Sequence, residues 1–190
     1  KRGSFHTIYW DRPSRRLLGD AVAEEKGEIK EGEETPECLI DLPIEAHIPE
    51  SYIASTPQRL SMYKRIAAVR TDADANDVLD ELRDRFGNPP PSINGLLQIS
   101  LLRNAASEAG IYEISQRNGS VLLYMAQPDV RYAVEMNKAM KGRVMLSAAK
   151  KPYIAVKPGE EDVLQTVKTS IEIIENVKKS ISQPDVNTNE

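Results

Sequence analysis

Ile111-Tyr112-Glu113-Ile114-Ser115-Gln116, then Arg117-Asn118-Gly119-Ser120, then Val121-Leu122-Leu123-Tyr124-Met125: along this run the chain changes character. Two β-rich segments flank Asn-Gly, and both of those residues tolerate the positive φ that a tight two-residue turn demands. A hairpin is predicted. Before it, back to Thr56, the apolar residues recur at helical spacing. After it, short β-rich runs and helical runs alternate. The expected order is β-ααα-ββ-α-ββ-α, an α+β fold with a three-helix subdomain preceded by one strand.

Towards the N-terminus, the three helices have legible ends. Thr56-Pro57 reads as a hydroxyl N-cap with proline at the first helical position, and Leu60, Tyr63, Ile66, Ala67 and Arg70 follow at helical spacing. The second helix is placed from about Asp74 to Phe86, stopped by Gly87. Asn88-Pro89-Pro90-Pro91 is a stiff turn. The third helix is placed at about Ser92 to Ala109, with Ile93, Leu96, Leu97, Leu101 and Ala105 as its buried stripe. Short connections imply a compact helical unit. Further upstream, Ile40, Leu42, Ile44, Ala46 and Ile48 alternate with Asp41, Pro43, Glu45 and His47. That is the pattern of a half-buried strand, and Pro43 suggests an edge or irregular position.

Towards the C-terminus, Pro128-Asp129 opens another helix, with Val130, Ala133, Val134, Asn137 and Met140 in series and Gly142 as its stop. Arg143–Ser147 and Tyr153–Val156 read as a strand pair around Lys150-Lys151-Pro152. The last helix is placed at about Glu160 to Ile181, on the stripe Leu164, Val167, Ile171, Ile174 and Ile181. Met136, Met140 and Met145 read as core fill rather than a binding groove.

The ends look different. Residues 1–16 have no usable period and carry five Lys or Arg against Asp11. Leu17 to Lys26 reads as a short helical stub, and Gly27 to Glu37 as a charged linker. From Glu24 to Glu37 there are seven glutamates and two lysines, a block expected to be solvated. The expected organisation is an extension and linker over 1–37, one domain over 38–182, and a polar tail over 183–190.

Composition and motifs exclude several classes of function. The chain has 190 residues, 40% hydrophobic, with net charge −4. No stretch approaches the roughly 18 uncharged apolar residues of a membrane span. Lys1–Trp10 is not followed by an apolar segment and a cleavage site, so a secretory leader is not expected, and a cytoplasmic location is. Cys38 is the only cysteine, which forbids an internal disulfide or a Cys-x-x-Cys site. It is expected half-buried, with His47 exposed at opposite phase nine residues on. The two histidines have no metal-ligand spacing. There is no phosphate loop, no dinucleotide fingerprint, no His-Glu-x-x-His and no Gly-x-Ser-x-Gly. No catalytic residue, cofactor or metal is therefore expected. Beyond residue 16 the charges sum to −8, which argues against a duplex-binding surface.

One feature stands out. In the second helix Ala75, Val78, Leu79, Leu82 and Phe86 share one face, and Asp74, Asp77, Glu81 and Asp84 form a separate stripe. Like charges so spaced cost a few tenths of a kcal/mol per pair. Arg83 and Arg85 flank them. The plain reading is a solvated face; the functional one is an acidic docking strip for a basic partner, and such contacts confer specificity and salt sensitivity. Arg59, Lys64, Arg65 and Arg70 give the first helix a basic side, expected to pair within the domain.

Arg59-Leu60-Ser61-Met62-Tyr63-Lys64-Arg65-Ile66, Glu81-Leu82-Arg83-Asp84-Arg85-Phe86-Gly87 with Pro90, Leu96-Leu97, Leu101-Arg103 and Ala109-Gly110-Ile111 resemble the C-terminal domain of bacterial transcription-repair coupling factors, the TRCF domain. Ile40-Asp41-Leu42-Pro43, Ile48–Ile53 and Leu17–Val22 fit the stretch leading into it. The resemblance spans about Leu17 to Ile111, is weaker beyond, and does not include residues 1–16. It implies a parent that is an ATP-dependent DNA translocase, displacing stalled RNA polymerase and recruiting UvrA for excision repair. It implies a non-catalytic, autoinhibitory domain that packs on the UvrB-like N-terminal module of the same chain and masks its UvrA-binding surface. It places Glu81 and Asp84 among the acidic contacts to that module. The expected interface is thus Asp77, Glu81 and Asp84, with no direct contact to DNA or membrane. The alternative is an accessory nucleic-acid-binding domain of a helicase-like protein.

Overall fold

The computed structural model describes residues 37–182. The stub at Leu17–Lys26, most of the linker, residues 1–16 and the tail lie outside the described residues. Within 37–182 there are two compact units, one of residues 43–104 and one of residues 37–42 with 105–182. The fold class is α+β: five helices and one mixed five-stranded sheet.

The first unit holds α1 (Thr56–Ala67), α2 (Asp72–Phe86) and most of α3 (Pro91–Glu108). Its core comes from Met62, Tyr63 and Ile66 of α1, Ala75, Val78 and Leu82 of α2, and Ile93, Leu96 and Leu97 of α3. The cap of α1 is Ser55 rather than Thr56, and its side chain makes no capping hydrogen bond. Proline in the first turn removes one donor that a cap would serve, and Thr56 Oγ1 instead accepts from Arg59 at 3.2 Å. α2 begins two residues earlier than expected, because Thr71 and Asp74 form a reciprocal capping box. Leu101 and Ala105 are only half-buried, whereas Ile99, Leu102 and Ala106 are buried. α3 is thus covered on more than one side, and a single stripe does not describe it.

The expected strand over 40–48 is shorter. Only Leu39–Asp41 pairs, as β1. Burial keeps alternating, with Leu42, Ala46 and Ile48 buried and Pro43 and Glu45 exposed, but Pro43 cannot donate to a ladder. The N–H of Ile48 donates to the hydroxyl of Tyr63 at 2.9 Å instead.

The second unit is built on the sheet. β2 (Ile111–Arg117), β3 (Ser120–Met125), β4 (Val144–Ser147) and β5 (Tyr153–Val156) join β1 in the order β1-β2-β3-β5-β4. β1 lies at the edge, parallel to β2, and every other pairing is antiparallel. The hairpin forms as its sequence dictates: Arg117 pairs with Ser120, and Asn118 and Gly119 take φ of 50° and 75°. Ile114, Leu123 and Ile154 are completely buried on one sheet face. α4 (Val130–Ala139) and α5 (Val163–Ser182) complete that core with Tyr132 and Met136, and with Val167, Ile171, Ile174 and Val177.

Several details differ from the periodicity. Val130 and Val134 are 61% and 46% exposed, because α4 buries the Tyr132–Met136–Met140 line instead. Ile181 is exposed, in the last turn of α5. Met136 and Met140 are core, but Met145 is 58% exposed on the outer face of the edge strand β4. Cys38 is buried rather than half-buried, and its N–H donates to Ser107 Oγ at 2.9 Å. Arg143 ties three elements together: Nε donates to Met140 O, Nη1 to Lys157 O and Nη2 to Glu161, each at 2.9 Å.

Candidate functional site

The acidic stripe of α2 separates into carboxylates that the unit uses and carboxylates that it leaves free. Asp74 is used. Its Oδ2 accepts from the Arg70 N–H at 3.1 Å and the Thr71 N–H at 2.9 Å. Those backbone donors, that of Arg70 foremost, hold its carboxyl below the usual range. Glu81 is also used. Its oxygens meet Arg85 Nη1 at 2.6 Å and Arg65 Nε at 3.6 Å. Asp80, one step off the stripe, pairs with Arg83 at 2.6 Å.

Asp77 and Asp84 are exposed, and no hydrogen bond or ion pair engages either among the described residues. Seven residues apart, they lie on one face of α2, about 10 Å along its axis. Of the three residues expected to form the interface, the structure therefore leaves Asp77 and Asp84 available and commits Glu81 to Arg85 and Arg65.

The helix that carries them is held firmly at its C-terminal end. Tyr52 Oη lies 2.8 Å from the Gly87 carbonyl and 3.1 Å from that of Leu82, as donor to either. Its ring meets Phe86 edge-on at 6.0 Å, and the Arg85 guanidinium lies 4.9 Å from the centre of the Phe86 ring. The basic side of α1 is largely absorbed inside the unit. Arg65 reaches Glu81. Arg59 donates to the carbonyls of Ile53 and Ala54 and pairs with Glu50 at 2.9 Å. Arg70 donates to Asn104 at 3.4 Å.

The family of the matched region follows from its sequence. The TRCF domain profile matches residues 42–135, which contain α2 and its stripe. Residues 42–135 belong to the TRCF-domain family. The transcription-repair-coupling factor of Bacillus subtilis (strain 168) is 32% identical over 127 residues, 67% of this chain and 11% of that protein. That of Staphylococcus aureus (strain USA300) is 30% identical over 168 residues, 88% of this chain and 14% of that protein. The chain thus spans only about one-ninth to one-seventh of the length of these relatives. The crystal structure of the C-terminal domain of a transcription-repair coupling factor has the same fold, with TM-score 0.64 and 19% identity, over 76% of this chain and 96% of that one.

Asp77 and Glu81 were legible from the helical period, but their different fates were not. Glu81 is neutralised partly by Arg65, which comes from another helix and carries no spacing signal. The capping box did carry one, because Thr71 and Asp74 stand three residues apart before an apolar run. No helix among the described residues is long and apolar enough to cross a membrane.

Proposed function

We propose that this TRCF domain is a non-catalytic regulatory clamp within a transcription-repair coupling factor. The parent is an ATP-dependent DNA translocase that displaces stalled RNA polymerase and recruits UvrA. In it, α2 docks on the basic UvrB-like module of the same chain and masks the UvrA-binding surface. The observation that carries this reading is the pair Asp77 and Asp84: two carboxylates on one helix face, left without a partner among the described residues.

The magnitudes suit a reversible latch. An exposed ion pair contributes about 0.2–1 kcal/mol. Two such pairs cannot sustain a tight complex between separate molecules. Within one chain the effective concentration is of order millimolar, so a weak polar contact holds the closed state. A ligand that prefers the open state then releases it.

The test is Asp77→Lys with Asp84→Lys in the full-length factor, alongside Glu81→Lys with Asp84→Lys. The expected result is increased UvrA binding and increased ATPase without polymerase in both variants, with the melting temperature of this domain unchanged by Asp77→Lys with Asp84→Lys and slightly lowered by Glu81→Lys with Asp84→Lys. Wild-type levels of both activities would remove α2 from the clamp.

A further inference from the structure

The sheet of the second unit carries a row of three tyrosines that the clamp does not use. Tyr124 of β3 stands directly opposite Tyr153 of β5, with ring centres 5.4 Å apart. Tyr112 of β2 adjoins Tyr124 on its other side at 6.2 Å. All three are half-buried. Strand alternation puts Tyr124 and Leu122 on the face opposite the buried Val121, Leu123 and Met125. The register of β2 shifts between Ile111 and Glu113, at Tyr112 itself. A bulge of this kind re-aims one side chain, and here it brings Tyr112 to the end of the row.

Cations lie at one end of that row, where Lys150 and Lys151 sit in the exposed turn just before Tyr153. The acidic group on the row is Glu113, opposite Tyr124 in register. The charge of −8 beyond residue 16, which weighs against a duplex-binding surface, is not spread evenly: residues 37–182 carry 18 Lys and Arg against 19 Asp and Glu. The excess acid belongs to 17–36 and 183–190 in the sequence.

We propose that this face is a stacking platform for single-stranded nucleic acid. Base–aromatic stacking tolerates any sequence, and lysines beside an aromatic row supply the phosphate contacts that stacking alone lacks. Duplex does not fit, because its bases are already stacked on one another and unavailable to the rings. The surface lies in a different unit from α2, so the proposal stands or falls independently of the clamp.

The test is fluorescence anisotropy of end-labelled (dT)12 and (rU)12 at low salt, titrated with the complete 190-residue chain. The wild type should bind, and the comparison of the two oligomers identifies DNA or RNA as the better ligand. Lys150→Glu with Lys151→Glu should weaken binding about tenfold and flatten its salt dependence. Tyr124→Leu should weaken it about tenfold, and Tyr124→Phe, which keeps the ring, should restore it. Circular dichroism melts show that each variant is folded. Absence of binding would overturn the proposal. So would equal affinity for a 12-base-pair duplex, or binding indifferent to Tyr124→Leu, which is the signature of a simple charge contact by the basic residues 1–16.

Discussion

Gly95 stands inside α3, where alanine would ordinarily stabilise a helix by about 0.5–1 kcal/mol. Here a Cβ would run into the carbonyl oxygen of Glu45 in the extended segment laid across the helix. Overpacking against backbone costs about 1–3 kcal/mol. Gly95→Ala should therefore destabilise the chain, read as a lower denaturation midpoint, and an increase would contradict the packing described. Tyr63→Phe removes the acceptor of the buried Ile48 N–H and should cost about 1–3 kcal/mol. Among the described residues three carboxyls are held below their ordinary range. Asp129 is held down to about 2, chiefly by the Arg131 side chain, Asp74 by the N–H groups of Arg70 and Thr71, and Glu161 by its own N–H and then Arg143. Groups so lowered stabilise fully above the ordinary carboxylate range and lose that contribution as pH falls through their folded values. Thermal stability should thus be flat near neutrality and drop between about pH 4 and about pH 2, and Asp129→Asn should reduce the drop. The hairpin turn was readable residue by residue because Asn-Gly encodes its own φ. Gly95 was not, since the atom that requires glycine belongs to a segment fifty residues away in sequence.

At the scale of elements, α2 contains two kinds of acidic residue. Asp77→Lys and Asp84→Lys touch no partner and should change stability by less than about 0.5 kcal/mol. Glu81→Lys breaks contacts to both Arg85 and Arg65 and should cost more, up to about 1 kcal/mol, in melts of the same chain. Periodicity placed all five helices, because each buries a face against its own unit. It misjudged α4, where valines at positions 130 and 134 look like core yet face outward, and Tyr132 is buried in their stead. A single helical stripe cannot tell which of two apolar lines finds a partner. The 40–48 segment failed differently: its alternation correctly forecast burial, but strand pairing needs N–H groups, and Pro43 has none.

At the scale of the whole molecule, the net charge of −4 conceals a segregation. The described residues are nearly balanced, and the acid concentrates in the flanking stretches and, locally, in α2. A clamp built on two free carboxylates must be salt-sensitive, because exposed charges are screened over about 8–10 Å at physiological ionic strength. That makes one measurement the most direct. The isotopically labelled 190-residue chain is titrated with the separately produced UvrB-like module, and amide chemical shifts are followed across a salt series. The account predicts weak binding at low salt, shifts centred on Asp77–Asp84 of α2, and their loss at high salt or with Asp77→Lys and Asp84→Lys. No shifts at low salt, or shifts that persist in the double variant, would contradict it.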